Sequence, residues 1–587
     1  MASKHEESSK VEHAGERGTV EYIDDVETIQ DDNYHGLTSQ FVLIYIAIEL
    51  VAFAAMMTVV TAGLVGSYMA ADIGGASQAI WLPQSNAIVT LVFMTPITQL
   101  ADLWGRRLPL LLASSAACIG SIIVSRSTTM GMALAGNVIA SCSFASAPLL
   151  FAVASEIVPR RYRPISQAGI NGMFSLTGII VLLAGTYLCQ NYLQGWRILW
   201  YVCAGASALA TLLTFLFYNP PPRVLQASLT LKQKIERVDW VGMFIIPVGL
   251  TLFVMALTWS ENPYPWSDGH ILGPFIVGSL VLMFVIYYEW KIKTDGLFHR
   301  QLFKKSRNFA LALFAISVEG ASFFAVNAFF PTEIGSLFGL DPMDIGIRFS
   351  IAFLFATVAA VLVAWYSSRW KAIRVPLLFG FTCFVVAFGT SIAFYAQYAS
   401  IRNDTNRSIA LLMSINAGSS AVLWVASATI GFGLGSVVTP LTTAAQFSAP
   451  PELITISTGA LLCLRTLGGG IILPVINSVF NSQMRKNVPT NIAERVLPLG
   501  LDPEQLGGFI AALNAHNQTE IAAIPGVTPH IIEAGVEGLK TALVSSFRML
   551  WITPLVISAL ALFVCWFIID PTEEFTMHVD APIDEGN

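Results

Sequence analysis

Three ionisable residues lie deep inside long apolar stretches of the sequence. Glu49 stands within LIYIAIELVAF, Glu319 within AISVEGASFF, and Arg465 within ALLCLRT. A charge at the centre of a bilayer costs about 2.5–3.5 kcal/mol on insertion scales, so such side chains should face a bundle interior or a wet cavity. There a glutamate can exchange a proton, or it can form an ion pair or hydrogen bond that locks two helices together. The sequence leaves both interpretations open for Glu49, Glu319 and Arg465.

A short charged segment, LADLWGRRLPL at 100–110, connects two apolar runs. It contains Asp102, Gly105, Arg106 and Arg107. A short basic loop between two membrane spans is retained on the cytoplasmic side. Gly105 permits a tight turn, and Asp102 can meet an arginine or the positive end of a neighbouring helix. The segment therefore predicts a cytoplasmic turn between two membrane helices.

The composition excludes several other chemistries. The chain has 587 residues, of which 55% are hydrophobic and 12% charged, whereas soluble domains carry about 25% charged residues. The seven cysteines form no CxxC pair and lie in or beside apolar runs, so they predict packing and not disulfides or metal ligands. Without a metal-spaced cluster or a GxSxG elbow, we expect no enzyme, metal or cofactor. The small net charge of −6 also argues against nucleic acid as a partner.

The elements that must position these residues are apolar runs of about 20 residues, the length that crosses a bilayer as a helix. Fourteen such runs predict an all-α polytopic membrane protein. They cover about 41–63, 81–100, 108–125, 131–154, 167–188, 198–217, 240–259, 271–290, 309–330, 345–366, 375–396, 420–446, 455–480 and 548–569.

The runs divide into six, two and six, which predicts two six-helix bundles joined by an inserted pair. The expected parts are a disordered cytoplasmic tail (1–36), a first bundle (37–218), a linker with two inserted helices (219–308), a second bundle (309–570) with a long outer loop at 482–547, and a cytoplasmic tail (571–587).

The charges of the connecting loops agree with this count. With the N-terminus inside, five of the six cytoplasmic connectors are basic, and the long outer segment has little positive charge for its length. Three glycosylation sequons, at Asn403, Asn406 and Asn517, fall in loops assigned to the outside. An error of one span would reverse every later loop, and no such reversal appears.

The pattern Asp102-x-x-Gly105-Arg106-Arg107 resembles the loop between helices 2 and 3 of the major facilitator superfamily. Two positions depart from it, because Thr98 stands where the family usually has glycine and Leu103 where it usually has arginine. The resemblance implies a secondary transporter whose loop helps to latch the cytoplasmic gate. In that fold two bundles of six helices enclose a substrate site at their interface.

The fourteen-span layout resembles the drug:proton antiporter branch of this superfamily. Asp239-Trp240-Val-Gly242 is similar to the start of that branch's helix 7, and the stretch from Leu464 to Gly469 resembles helix 13 of a fungal subgroup that includes trichothecene efflux pumps. One departure is Asn137, which stands where these antiporters usually carry an arginine in helix 4. Asn137 can donate a hydrogen bond but holds no fixed charge, and with Glu49, Glu319 and Arg465 it is a candidate for proton coupling or the substrate cavity.

The two halves predict symmetry between the two glutamates. Glu49 is about eight residues into the first span of its half, and Glu319 about ten into the first span of the other. We therefore expect two carboxyl groups at similar depth on opposite sides of one cavity. Burial disfavours the charged form of a carboxyl group, and all eight histidines lie outside the spans. Glutamate is thus the expected proton carrier.

The resulting hypothesis is a proton-coupled exporter of hydrophobic small molecules, such as a fungal toxin or a drug. The alternative is proton-driven uptake of a ferric siderophore, for which Arg465 would supply the central cation. A channel is disfavoured because no ring of carbonyls or charges is evident. The expected partners are a small-molecule substrate, protons and the lipid bilayer, and we expect a monomer. The expected location is the cell membrane, with the vacuolar membrane as the other choice.

Overall fold

The structure, a computed structural model, describes residues 39–79, 81–220, 230–259, 264, 266–292, 302–303, 306–401, 420–514, 521 and 523–580. Within these ranges the chain is helical, and fourteen helices are long and apolar enough to cross a membrane. The predicted all-α architecture with fourteen spans is therefore confirmed. The expected N-terminal tail and the three sequons lie outside the described residues.

We number the fourteen helices α1 to α14 in chain order. They are α1 Ser39–Leu64, α2 Trp81–Trp104, α3 Arg107–Ser125, α4 Met130–Glu156, α5 Arg160–Asn191, α6 Gly195–Phe217, α7 Leu231–Leu257, α8 Gly269–Tyr287, α9 Arg307–Phe338, α10 Pro342–Trp370, α11 Arg374–Ala393, α12 Trp424–Phe447, α13 Ile454–Leu499 and α14 Pro529–Cys565. Three spans are interrupted: by a 3₁₀ turn at Phe144–Ser146 in α4, by a π-helical turn at Val181–Gly185 in α5, and by a break in the helix at 238–239 in α7.

Local signals explain several of the helix ends. The side chain of Ser306 accepts a hydrogen bond from the Asn308 backbone N–H and caps the start of α9. The same helix ends at Gly339, whose φ of +62° is a left-handed conformation that glycine adopts without strain. Gly105, with φ +88°, makes the tight turn between α2 and α3.

The helices form two apolar cores and a peripheral pair. α1 to α6 pack around residues such as Leu150 and Trp200, and α9 to α14 around Phe384 and Trp551. The bundles meet along two seams, α5 with α10 and α2 with α13. The inserted helices α7 and α8 pack on each other, and α7 leans on α2 and α13.

The prediction of a long outer loop at 482–547 is wrong for most of this segment. The helix of α13 continues unbroken to Val496, α14 already begins at Pro529, and a short helix, Leu506–Asn514, lies between them. Their contacting faces bury Ile492, Phe509 and Ile531 in a separate apolar cluster. The apolar run was too narrow a criterion here, because these helix extensions are amphipathic and carry polar residues on one face.

Candidate transport site and gate

The first feature of the site is an ion pair between α9 and α13. Glu319 is fully buried, and its carboxylate accepts two hydrogen bonds from Arg465, Nε to Oε2 at 2.5 Å and Nη2 to Oε1 at 2.9 Å. Two glycines allow the helices to approach closely. A Cβ at Gly320 would overlap the carbonyl oxygen of Arg465, and one at Gly468 would overlap that of Ser317. Small residues thus bring the helices together, and the bidentate pair fixes their register.

Arg465 also faces a small cavity between the two bundles. Its side chain is 18% exposed, and the guanidinium carbon lies 4.7 Å from the centre of the Phe323 ring. Phe144, Phe151 and Phe174 line the cavity from the first bundle, opposite Arg465. Among the described residues that line the cavity, Arg465 is the one that carries a charge. The cavity volume is about 20 Å³, room for about one water molecule, so the site is nearly closed in this conformation.

Glu49 has very different surroundings from Glu319. It is 8% exposed, no cation of the described residues pairs with it, and its nearest polar neighbour is the Tyr45 hydroxyl. It packs against α5 at Gly169, where an added Cβ would overlap the Tyr45 hydroxyl and lie 2.8 Å from Glu49 Oε1. Tyr45 itself donates to the carbonyl of Ser166 at 2.8 Å. Neither Glu49 nor Glu319 belongs to the lining of the cavity, contrary to the expected facing pair.

Asn137 joins two helices within the first bundle. It is fully buried in α4, and its Nδ2 donates to the carbonyl of Leu82 at 2.8 Å and to Ser85 Oγ at 3.0 Å. These contacts tie α4 to the first turn of α2. Asn137 is therefore not in the cavity lining, and it joins two helices of the first bundle.

The second feature is the segment after α2, where Arg106 joins the two bundles. Arg106 is 5% exposed, pairs with Glu156 at the end of α4, and lies 3.7 Å from Asp102. Its Nε and Nη2 donate to Thr455 Oγ1 in the first turn of α13, at 3.1 and 2.6 Å. The left-handed turn at Gly105 lets the chain place Arg106 inward at the seam.

Arg107, the neighbouring residue, points to a different set of partners. It donates to Asn219 Oδ1 at 2.8 Å and to the carbonyl of Phe215 at 2.7 Å, and its guanidinium lies over the Phe215 ring. All of these contacts follow or belong to α6. Arg106 thus spans the two bundles, whereas Arg107 secures the turn within the first.

Thr98 has an unexpected counterpart across the same seam. A Cβ at Gly459 of α13 would lie 2.6 Å from Thr98 Cγ2 and 2.7 Å from its Oγ1. The chain has threonine where the family usually has glycine, and it has glycine on the facing helix. The close approach of α2 and α13 is therefore preserved with the small residue on the opposite side.

Buried amide and hydroxyl side chains extend this seam toward the cavity. Gln167 of α5 donates to Gln446 Oε1 of α12 at 2.5 Å and accepts from Thr443 at 3.3 Å, while Asn171 donates to Thr439 Oγ1 at 3.1 Å. Asn171 and Gln446 are polar residues within apolar runs of the sequence. Their partners lie more than 260 positions away, so no local pattern could have paired them.

Sequence reasoning also missed Glu333, a third buried carboxylate. Its Oε2 accepts a hydrogen bond from Trp551 Nε1 at 3.0 Å, between α9 and α14. The predicted span ended at residue 330, whereas α9 continues to Phe338. Extending the helical periodicity beyond the apolar run would have brought Glu333 inside the bundle.

Comparisons with known proteins agree with this architecture. The profile of the Major Facilitator Superfamily matches residues 48–473. The MFS-type transporter ucsD of an Acremonium species is 24% identical over 456 residues, 75% of this chain and 71% of the relative. Efflux pump FUS6 of Gibberella moniliformis is 22% identical over 539 residues, 90% and 88%. The MFS-type efflux pump LUC4 of a Fusarium species is 24% identical over 516 residues, 86% and 84%.

Solved structures share the fold at low sequence identity. The proton:xylose symporter XylE superposes with a TM-score of 0.54 at 10% identity, over 90% of this chain and 96% of its own. A bacterial homologue of the lysosomal transporter Spinster, inward-facing and occupied, gives 0.51 at 13% identity, over 90% and 97%. These relatives and structural neighbours are transporters and not enzymes.

Proposed function

The chain belongs to the major facilitator superfamily, and from that membership we propose that it is a proton-coupled exporter of hydrophobic small molecules that works by alternating access. The observation that carries the proposal is the cavity between the bundles, lined by aromatic rings around one guanidinium. Apolar lining with few polar groups suits a ligand held mainly by contact area. The efflux pumps among the fungal relatives support the direction of transport.

Proton coupling is assigned to the two buried glutamates, Glu49 and Glu319. Burial without a counter-ion favours the neutral form of a carboxyl group, so Glu49 can take up a proton on one side and release it when the bundles tilt. Protonation of Glu319 would weaken its bond to Arg465 and free the guanidinium at the cavity wall. Either event links proton occupancy to the shape of the site.

The cytoplasmic gate is assigned to Asp102, Gly105, Arg106 and Arg107. Arg106 bonds both Glu156 and Thr455, and opening that end of the seam requires the Thr455 bonds to break. Arg107 keeps the turn attached to α6 during that motion. The protein is a multi-pass membrane protein, and we place it in the cell membrane, with the vacuolar membrane as the other choice, as a monomer. Asn403, Asn406 and Asn517 remain proposed glycosylation sites on the outer side.

The test is rhodamine 6G transport in sealed vesicles with an imposed pH gradient. We expect Glu49→Gln, Glu319→Gln or both to abolish the dependence of transport on the gradient, and Glu533→Gln, an exposed acid in the outer part of α14, to leave it intact. Unchanged coupling in both glutamate variants would exclude Glu49 and Glu319 as proton carriers.

Uptake of a ferric siderophore is the second candidate, and Arg465 is the observation that favours it. A bulky anionic chelate would suit the single charged group of the cavity lining. Accumulation of an iron chelate by cells that express the protein, compared with resistance to a toxic hydrophobic compound in the same cells, separates the two functions.

A further inference from the structure

The segment that follows α14 returns to the surface of the first bundle. The backbone N–H of Arg160 donates to the carbonyl of His578 at 3.0 Å, and that of Arg161 donates to the carbonyl of Thr576 at 2.9 Å. Arg160 and Arg161 form the first turn of α5 and are part of the α4–α5 connector, residues 157–166. The last described residues therefore pair, backbone to backbone, with the half of the protein to which they do not belong.

A buried ion cluster strengthens this attachment. The side chain of Asp580 is 2% exposed. It bonds Arg160 Nη2 at 2.8 Å and pairs with Arg163, whose side chain is also 2% exposed. Glu574 adds a second carboxylate to Arg160, at 3.1 Å. Charges are buried in this way only when each has a partner of opposite sign.

The other end of the segment is rooted in the second bundle. Asp570 Oδ1 accepts hydrogen bonds from the backbone N–H groups of Ile373 and Arg374 at the start of α11, at 2.6 and 2.8 Å. Phe575 is 1% exposed, and its ring lies 4.8 Å from that of Phe447 at the end of α12, in an edge-to-face arrangement. An anchored aromatic side chain thus stands between the two points of attachment.

We propose that residues 570–580 form a strap that holds the two bundles together at the end of the molecule where the basic α4–α5 connector lies. The strap begins on α11 and α12 and ends on the α4–α5 connector, so its two attachments must separate if that end opens. It lies beside the seam formed by Gln167 with Gln446, and it supplements the bonds of Arg106 to Thr455. The closure rests on these contacts, whereas its role in a transport cycle rests on the proposed function.

The test is hydrogen–deuterium exchange of the purified full-length protein, which requires no substrate. Asp580→Asn leaves Arg163 buried without its carboxylate. We expect exchange to become at least about tenfold faster both in the connector, 157–166, and in the seam beneath it, 443–460. The matched control is Glu573→Gln, an exposed acid of the same segment, which should exchange like the wild type. The outer helices, 488–513, serve as the check on folding.

The strap is refuted if Asp580→Asn accelerates exchange in 157–166 and 571–580 but leaves 443–460 unchanged, because the segment would then be a surface appendage. If residues 488–513 also exchange faster, Asp580→Asn is unfolding, and Phe575→Leu is compared instead. Faster exchange of Phe575→Leu in both 157–166 and 443–460 supports the strap, and faster exchange in 157–166 alone refutes it. Because exchange is measured without transport, failure of the proposed function leaves this result interpretable.

Discussion

The first and fifth helices of each bundle enclose a buried glutamate, but the two glutamates meet opposite surroundings. In the second bundle α9 presents Glu319 to Arg465 of α13. In the first bundle α1 presents Glu49 to Gly169 of α5. Both halves have the acid and the helix pair, but among the described residues only the acid of the second half has a basic partner.

This difference separates two roles that the sequence left open for each glutamate. An ion pair with two hydrogen bonds fixes α9 against α13. Glu49, which no cation of the described residues pairs with, forms no comparable ion pair between α1 and α5. Replacing either Glu319 or Arg465 should therefore lower the free energy of unfolding. Replacing Glu49 should alter transport with little effect on that free energy.

The largest effect is expected for Arg465→Met, which leaves the fully buried Glu319 without a partner. Loss of one member of a buried pair costs about 3–5 kcal/mol, whereas replacing both members with apolar residues is often neutral. We expect a large drop in the thermal unfolding midpoint for Arg465→Met, and recovery of most of it in Glu319→Leu/Arg465→Met. Equal midpoints for the single and double variants would show that the pair is not what fixes these helices.

A smaller effect is expected at Gly169, the first-bundle counterpart of Arg465. A Cβ there would overlap the Tyr45 hydroxyl, so Gly169→Ala should cost about 1–3 kcal/mol, the usual penalty of overpacking. Gly172→Ala is the matched control in the same helix, because its Cβ would make only an ordinary contact, 3.6 Å from Thr357. If Gly169→Ala and Gly172→Ala unfold at the same temperature, there is room for a Cβ at Gly169, and α5 does not enclose Glu49 tightly.

The sequence predicted the parts of this comparison that depend on local pattern. Apolar runs of bilayer length identified the fourteen helices, and the cost of charge in lipid marked Glu49, Glu319 and Arg465 as interior residues. The basic turn after α2 identified the connector that carries Arg106. Each of these inferences uses residues within about 20 positions of one another, the scale on which helix length and hydropathy act.

The pairings could not be predicted in this way. Glu319 and Arg465 are 146 positions apart, and nothing in either segment specifies the other. The partners of Arg106 illustrate the same limit, because Thr455 is 349 positions away in the chain. The sequence predicts only a tail after α14. The burial of Asp580 depends on arginines of the other bundle, which no local pattern identifies.

The smallest effect on stability, and the sharpest test of the comparison, is expected for Glu49→Gln. Glutamine matches the shape of the protonated carboxyl group, so the free energy of unfolding should change by less than about 1 kcal/mol, within the range of a single hydrogen bond. Glu319→Gln should lower it more, because Arg465 then loses a charged partner. In sealed vesicles Glu49→Gln should nevertheless remove the dependence of transport on an imposed pH gradient. A Glu49→Gln protein that is as destabilised as Glu319→Gln, with gradient-driven transport intact, would mean that both glutamates are structural and that the asymmetry between the bundles has no part in coupling.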